Sequence, residues 1–410
     1  MRTLCLVALV ACAPRALLTA DAPVERPADQ IRHYTIWLGG ARVGTAVETE
    51  TWTAAGVHLR RDETMRFLRG DAPVALTTTI DIVADPALVA SRVSWTERGP
   101  RIRHGEAARD ATGWRVDTDD GVLRLAGAAV PSELVPLILR RDGRFTGAVF
   151  LPARGFAAGT GRIEPVAPHR LVARLALTAG IAEATIDLDP DGTPARVVDG
   201  EGVIAIRVSA ARAMEPFQSV DLVAATSVPI SGTRGAHLAL EGDLALPPLP
   251  GQSAQTSATG LLLELSPRLP GGLPPGTRGA DRSREITALV AEIQRRIAPD
   301  LGTGPVSARD ASAATAGDCT TYALAYAALA AQHAIPTRVV TGLRVDGARL
   351  VRHRWAVSWT GRTWIAVDAA FGAAPAGGDL VGLAIHDADD AGLVAGEGAL
   401  TQLRAAAWTD

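Results

Sequence analysis

The chain has 410 residues, 47% apolar and 21% charged, a globular composition with apolar material for more than one core. Its formal net charge is −3, which gives no electrostatic footprint for nucleic acid or for an anionic membrane surface. It contains no Lys and no Asn. That excludes a lysine nucleophile or Schiff base, an Asn completing a Cys-His triad, and any N-glycosylation acceptor.

Residues 1–22 read as an export signal. Arg2 supplies the positive start and Leu4 to Ala11 a short apolar run. Leu9-Val10-Ala11-Cys12 resembles a bacterial lipobox, which implies a lipid anchor at Cys12. An ordinary signal cut near Ala20 is the competing reading, and a mis-set start without export a third. The expected location is therefore exported, either periplasmic or as a membrane-anchored lipoprotein. If Cys5 and Cys12 are removed or lipidated, Cys319 is the one free thiol left.

Residues 23–30 are a Pro- and charge-rich linker. From 31 to 245 the pattern is β-like, with runs such as His33 to Leu38, Val74 to Val83 and Val203 to Val208. Turn signals at Gly39-Gly40, Asp119-Asp120-Gly121, Arg141-Asp142-Gly143 and Asp189-Pro190-Asp191-Gly192 separate the runs. This predicts an antiparallel sheet or open barrel, with one short helix at Ser132 to Leu139 despite Pro136. Its histidines, His33, His58, His104 and His169, are scattered and form no catalytic cluster.

A Pro/Gly-rich connector with one short strand spans 246–280. Mixed structure is expected over 281–390 and a tail over 391–410. Ser283 reads as an N-cap, and Ile286, Leu289, Val290, Ile293 and Ile297 fall on one helical stripe. A second helix, from Cys319 to His333, has apolar residues on more than one face and should be buried.

Asp318 stands where an N-cap would, placing Cys319 in the first helical turn. Free N–H groups and the positive helix end there favour a thiolate and could form an oxyanion hole. Thr337 to Val345 and Arg349 to Trp359 read as a hairpin about Asp346-Gly347. With Thr360-Gly361 as the next two-residue turn, counting back sets His353 directly across from Asp368. Opposed Cβ atoms lie about 4.5–5.5 Å apart, within reach of an imidazole–carboxylate hydrogen bond. Nucleophile, base and orienting acid are thus Cys319, His353 and Asp368.

Four blocks carry a family resemblance: Gly317-Asp318-Cys319-Thr320-Thr321-Tyr322-Ala323, Ile335 to Gly342, His353-Arg354-Trp355-Ala356-Val357, and Trp364-Ile365-Ala366-Val367-Asp368. In order and spacing they resemble the transglutaminase-like superfamily. The resemblance, over roughly Arg284 to Gly372, implies a papain-like α+β domain with Cys319, His353 and Asp368 as triad; with the β-like pattern before it, the expected fold is α+β, an N-terminal antiparallel β domain followed by that domain. Val357-Ser358 and Ala369-Ala370 depart from the family pattern outside the triad, and no upstream oxyanion side chain can be placed.

Trp355, Trp359 and Trp364 are candidates for a substrate cleft, with core packing expected for at least two. Arg352 and Arg354 point away from His353, as on a solvated sheet face. His386 with Asp387, Asp389 and Asp390 matches no metal-ligand spacing and reads as a solvated loop. No cofactor or metal motif is present. Two function classes follow. One is a cysteine enzyme acting on a peptide or protein amide through a thioester, by hydrolysis or amine transfer. The other is a catalytically silent envelope scaffold or binding module.

Overall fold

The computed structural model describes residues 27–410, apart from 120, 178–179, 201, 243, 258–259, 304–306, 390–391, 394–395 and 397. The expected export signal, Cys5 and Cys12 lie outside the described residues, as does Asp390. No helix among the described residues is long and apolar enough to cross a membrane.

The first half is one 15-stranded sheet in which successive strands are neighbours. Its first strand, Gln30–Leu38, pairs antiparallel with its last, Ile204–Val208, so both edges come from mid-sequence: Gly121–Leu125 and Val130–Pro131. Strand Ala72–Ala84 shows the cause locally. Val74, Leu76, Ile80 and Ile82 alternate inward while Val83 is exposed, the period-2 pattern of a sheet with one buried face. The sheet curls, because its two arms share one core. Trp52, Ile82, Trp95 and Trp114 from one arm meet Phe150, Ile163, Leu171 and Ile186 from the other. Each such fully buried side chain contributes roughly 1.5–3 kcal/mol. A helix, Val135–Asp142, fills the curl with Val135, Leu137, Ile138 and Leu139. Pro136 is tolerated because it lies in the first turn, where its missing N–H has no helical acceptor. Gly143, at φ 70°, ends the helix.

The second sheet begins earlier than the composition suggests. Val228–Ser231 and His237–Gly242, which the sequence places in the β domain, belong to it. So do the connector strands Gln252–Thr256 and Leu261–Leu265, and the supposed tail, where Leu403–Thr409 pairs with His237–Gly242 and Val228–Ser231. Alternation shows that a segment is a strand, whereas long-range pairing decides which sheet receives it. The rest of the sheet is Arg349–Trp359, Thr337–Asp346 and Leu380–His386, with Trp364–Val367 on the far side of Arg349–Trp359.

Two helices pack on this sheet. Ser283–Arg296 buries Ile286, Leu289, Val290 and Ile293, the expected stripe, although Arg282 rather than Ser283 is its N-cap and makes no side-chain cap bond; Asp281 Oδ1, one residue earlier, accepts the Ser283 N–H at 3.0 Å. Cys319–Gln332 is buried on several faces, from Thr321 to Tyr326 without a break. Tyr322 donates its hydroxyl to Ile297 O (2.5 Å), and the Tyr326 hydroxyl bonds Ser358 Oγ (2.9 Å). These bonds anchor the helix to its neighbours at both levels.

Candidate active site

Gly317 sets the approach to the Cys319 helix. A Cβ there would sit 2.2 Å from Thr321 Oγ1 and 2.4 Å from Thr321 Cβ, so glycine is required for the chain to pass this close. Asp318 then caps the helix, its Oδ1 accepting the N–H of Thr320 (2.9 Å) and of Thr321 (3.2 Å). Cys319 is the first helical residue, a free thiol of intermediate exposure. Its Sγ thus sits at the positive end of a 14-residue helix.

His353 comes from strand Arg349–Trp359. Asp346 pairs with Arg349, so the turn is Gly347-Ala348, one residue later than the Asp346-Gly347 pattern. The following turn differs more. Ser358 pairs with Ile365 and Trp359 with Trp364, leaving a four-residue loop from Thr360 to Thr363. The Thr360 side chain holds it, Oγ1 accepting the Thr363 N–H at 3.1 Å. Two extra loop residues move the register by two, which preserves the face. Asp368 is therefore a diagonal neighbour of His353, not its direct partner, and still reaches it. His353 Nε2 and Asp368 Oδ2 are 2.8 Å apart, both groups buried. Asp368 is fixed in turn by the Ala370 N–H on Oδ1 (3.2 Å) and a tight turn to Ala373.

The His353 ring lies between Trp355 (centroids 5.9 Å, stacked) and the edge of Phe371 (5.6 Å). Burial opposes a charge on it. Hydrogen bonds and charge from Asp368 and Cys319 outweigh burial and raise its pKa to about 10. The buried imidazole thus bonds the carboxylate through Nε2. Cys319 and His353 open onto a cleft of about 220 Å³. The family model of the transglutaminase-like superfamily matches residues 273–369, a span that contains Cys319, His353 and Asp368.

The chain carries a transglutaminase-like domain. Two solved structures give partial likenesses. One is a protein of the DUF1089 family from Pseudomonas aeruginosa: 12% identity, 38% of this chain and 88% of that chain covered, TM-score 0.27. The other is a candidate cysteine protease from Cytophaga hutchinsonii: 16% identity, 40% and 76% covered, TM-score 0.22. At these scores neither likeness carries over a fold or an activity. No curated protein matches the chain.

Within the transglutaminase-like domain, Trp355 and Trp359 are core residues, 2% and 4% exposed. The indoles of Trp359 and Trp364 donate to Thr277 O and Pro274 O (2.8 Å each), so these rings hold the connector and do not line the Cys319 cleft. Arg354 is half-buried, not on a solvated face. Its Nη1 donates to Thr320 Oγ1 (3.0 Å), beside the cysteine, and its Nε to Thr341 Oγ1 (3.1 Å). Thr341 continues to His386 Nε2 (2.9 Å). His386 Nδ1 faces Asp387 O (2.8 Å), so Nδ1 carries the proton and Nε2 accepts from Thr341. His386 is therefore buried, not in a solvated loop, and burial lowers its pKa to about 4. Period-2 counting places Arg354 opposite His353; no local signal shows that a helix start covers that face.

Proposed function

We propose that the transglutaminase-like domain is a cysteine acyl-transfer enzyme of papain-like α+β architecture, acting on an amide of a peptide or protein. Cys319 is the nucleophile, His353 the acid–base and Asp368 the group that orients the imidazole. The observation that supports this reading most is that His353, buried and bonded to Asp368 at 2.8 Å, lines the same cleft as the Cys319 thiol at its helix start.

The chemistry follows from that arrangement. The thiolate attacks the amide carbon, and the carbonyl π electrons move onto oxygen. Asp318 occupies the N–H groups of Thr320 and Thr321, which leaves the Cys319 N–H to stabilise that oxyanion. Collapse of the adduct breaks the C–N bond, and the His353 imidazolium gives its proton to the leaving amine. A thioester remains on Cys319. Water or a second amine then attacks, His353 takes its proton, and the thiolate returns. Asp368 holds the ring tautomer and stabilises the imidazolium throughout.

The test is incubation of the protein and its Cys319→Ala variant with a peptide mixture, with and without an added primary amine. New N-termini, or amine incorporated at glutamine or at a cleaved amide, in the wild-type sample only is the expected result. Identical product profiles for the two proteins would overturn the assignment.

A further inference from the structure

The first sheet meets the Cys319 cleft at Leu38, the end of strand Gln30–Leu38, and at the hairpin end where strand Gly56–Arg69 turns into Ala72–Ala84. Leu68 N–H donates to Val220 O and Gly70 N–H to Asp221 Oδ1, both at 2.8 Å. Asp221 caps the short helix Leu222–Ala225, which lies against the cleft, and Arg349 in the His353 strand donates to Ala224 O of that helix at 2.9 Å. Between Leu68 and Gly70, Arg69 ion-pairs Asp318 Oδ2 and donates to Leu301 O at 3.3 Å. One hairpin end is thereby tied to segments on both the cysteine and the histidine side.

The Arg69–Asp318 pair has an electrostatic consequence. An uncharged Ser or Asn caps a helix as well as Asp does, whereas a carboxylate cap sets a negative charge one residue from the sulfur. Like charges at about 4–6 Å disfavour one another. Here the cap carboxylate, 7% exposed, is neutralised by a guanidinium 249 positions earlier in the sequence. The other charged or titratable groups on the cleft are Arg352, His353 and Arg354, with Asp368 behind His353. Among the described residues, Arg69 alone ion-pairs Asp318.

We propose that Arg69, from the N-terminal sheet, is a positioning residue of the Cys319 site: it fixes the cap Asp318 and cancels its charge beside the sulfur. The N-terminal half is on this view required for a fully reactive thiol. The inference rests on the thiolate chemistry proposed above.

The experiment is the rate of Cys319 alkylation by iodoacetamide in the full chain from pH 5 to 10, read by mass spectrometry of the Cys319 peptide. In Arg69→Met the rise of rate with pH moves up by about one unit, roughly tenfold slower at acid pH, with the high-pH plateau unchanged. Arg69→Lys recovers most of the loss. In the Arg69→Met/Asp318→Asn double variant both charges of the pair are gone, and the rise returns close to its wild-type position. An Arg69→Met profile that coincides with wild type, or a double variant whose rise stays as high as in Arg69→Met alone, overturns the proposal. Should Arg69→Met fail to fold, Asp318→Asn decides: with the cap kept and the charge removed, its rise moves to lower pH, and a move to higher pH overturns it. A wild-type rate that rises only in the ordinary thiol range is a separate outcome that sinks the catalytic reading itself.

Discussion

Replacing Gly317 with Ala tests whether the placement of the Cys319 helix depends on a bare α-carbon. The added methyl would lie 2.2 Å from Thr321 Oγ1, 2.4 Å from its Cβ and 2.6 Å from its Cγ2. Carbon–carbon contacts are favourable near 3.5–4.0 Å, so the two residues must separate by about 1 Å. Rotating Thr321 does not relieve it, because Cβ is fixed to the helix. Nor can Gly317 retreat freely, since its carbonyl accepts the Asp300 N–H at 2.9 Å. Overpacking of this kind costs about 1–3 kcal/mol. A displacement of that size at a reacting group can cost about 100-fold in rate. The assay is the Cys319 alkylation rate at pH 6.5, together with a urea unfolding midpoint. Gly317→Ala should lose most of its reactivity, and Thr321→Gly added to it should restore part, since it removes all three clashing atoms. Full reactivity and stability in Gly317→Ala alone would refute the reasoning.

Three further outcomes follow from the buried polar groups. His353 has a folded pKa raised to about 10, so its contribution to stability is complete below the unfolded value of about 6.5 and is lost as pH rises through 10. Asp368→Asn should flatten that decline, seen as a smaller change in urea midpoint between pH 6.5 and 10. His386 has the opposite sign: the unfolded chain binds its proton near 6.5 and the folded chain only near 4, so stability falls as pH drops through that window. His386→Gln should remove the corresponding slope between pH 7 and 4.5. Tyr326→Phe removes the hydroxyl bonded to Ser358 Oγ, and should lower stability by about 1 kcal/mol in urea unfolding without moving the alkylation profile.

Local signals carried far in this sequence. Asp318 before Cys319 announces the capped helix, and the stripe from Ile286 to Ile297 is buried as its spacing implies. The link between His353 and Asp368 survives a miscounted turn because the Thr360–Thr363 loop is longer by two residues, which keeps the face. A loop longer by one would have turned the carboxylate away. What the sequence hid is non-local. Nothing near Arg69 signals a partner 249 residues on, nothing in Leu403–Thr409 signals its pairing with His237–Gly242, and nothing around His386 signals its burial under Thr341. Each depends on which distant surface covers the segment, and residue pattern does not record that.

The central claim is that the His353–Asp368 pair activates Cys319. Its most direct test is the pH dependence of Cys319 alkylation in the folded protein, beside His353→Ala. The account predicts rapid alkylation at or below neutral pH, with most of that rate lost in the variant. A rate that rises only near the free-thiol value of about 8.5, unchanged by His353→Ala or seen only after unfolding, would contradict it.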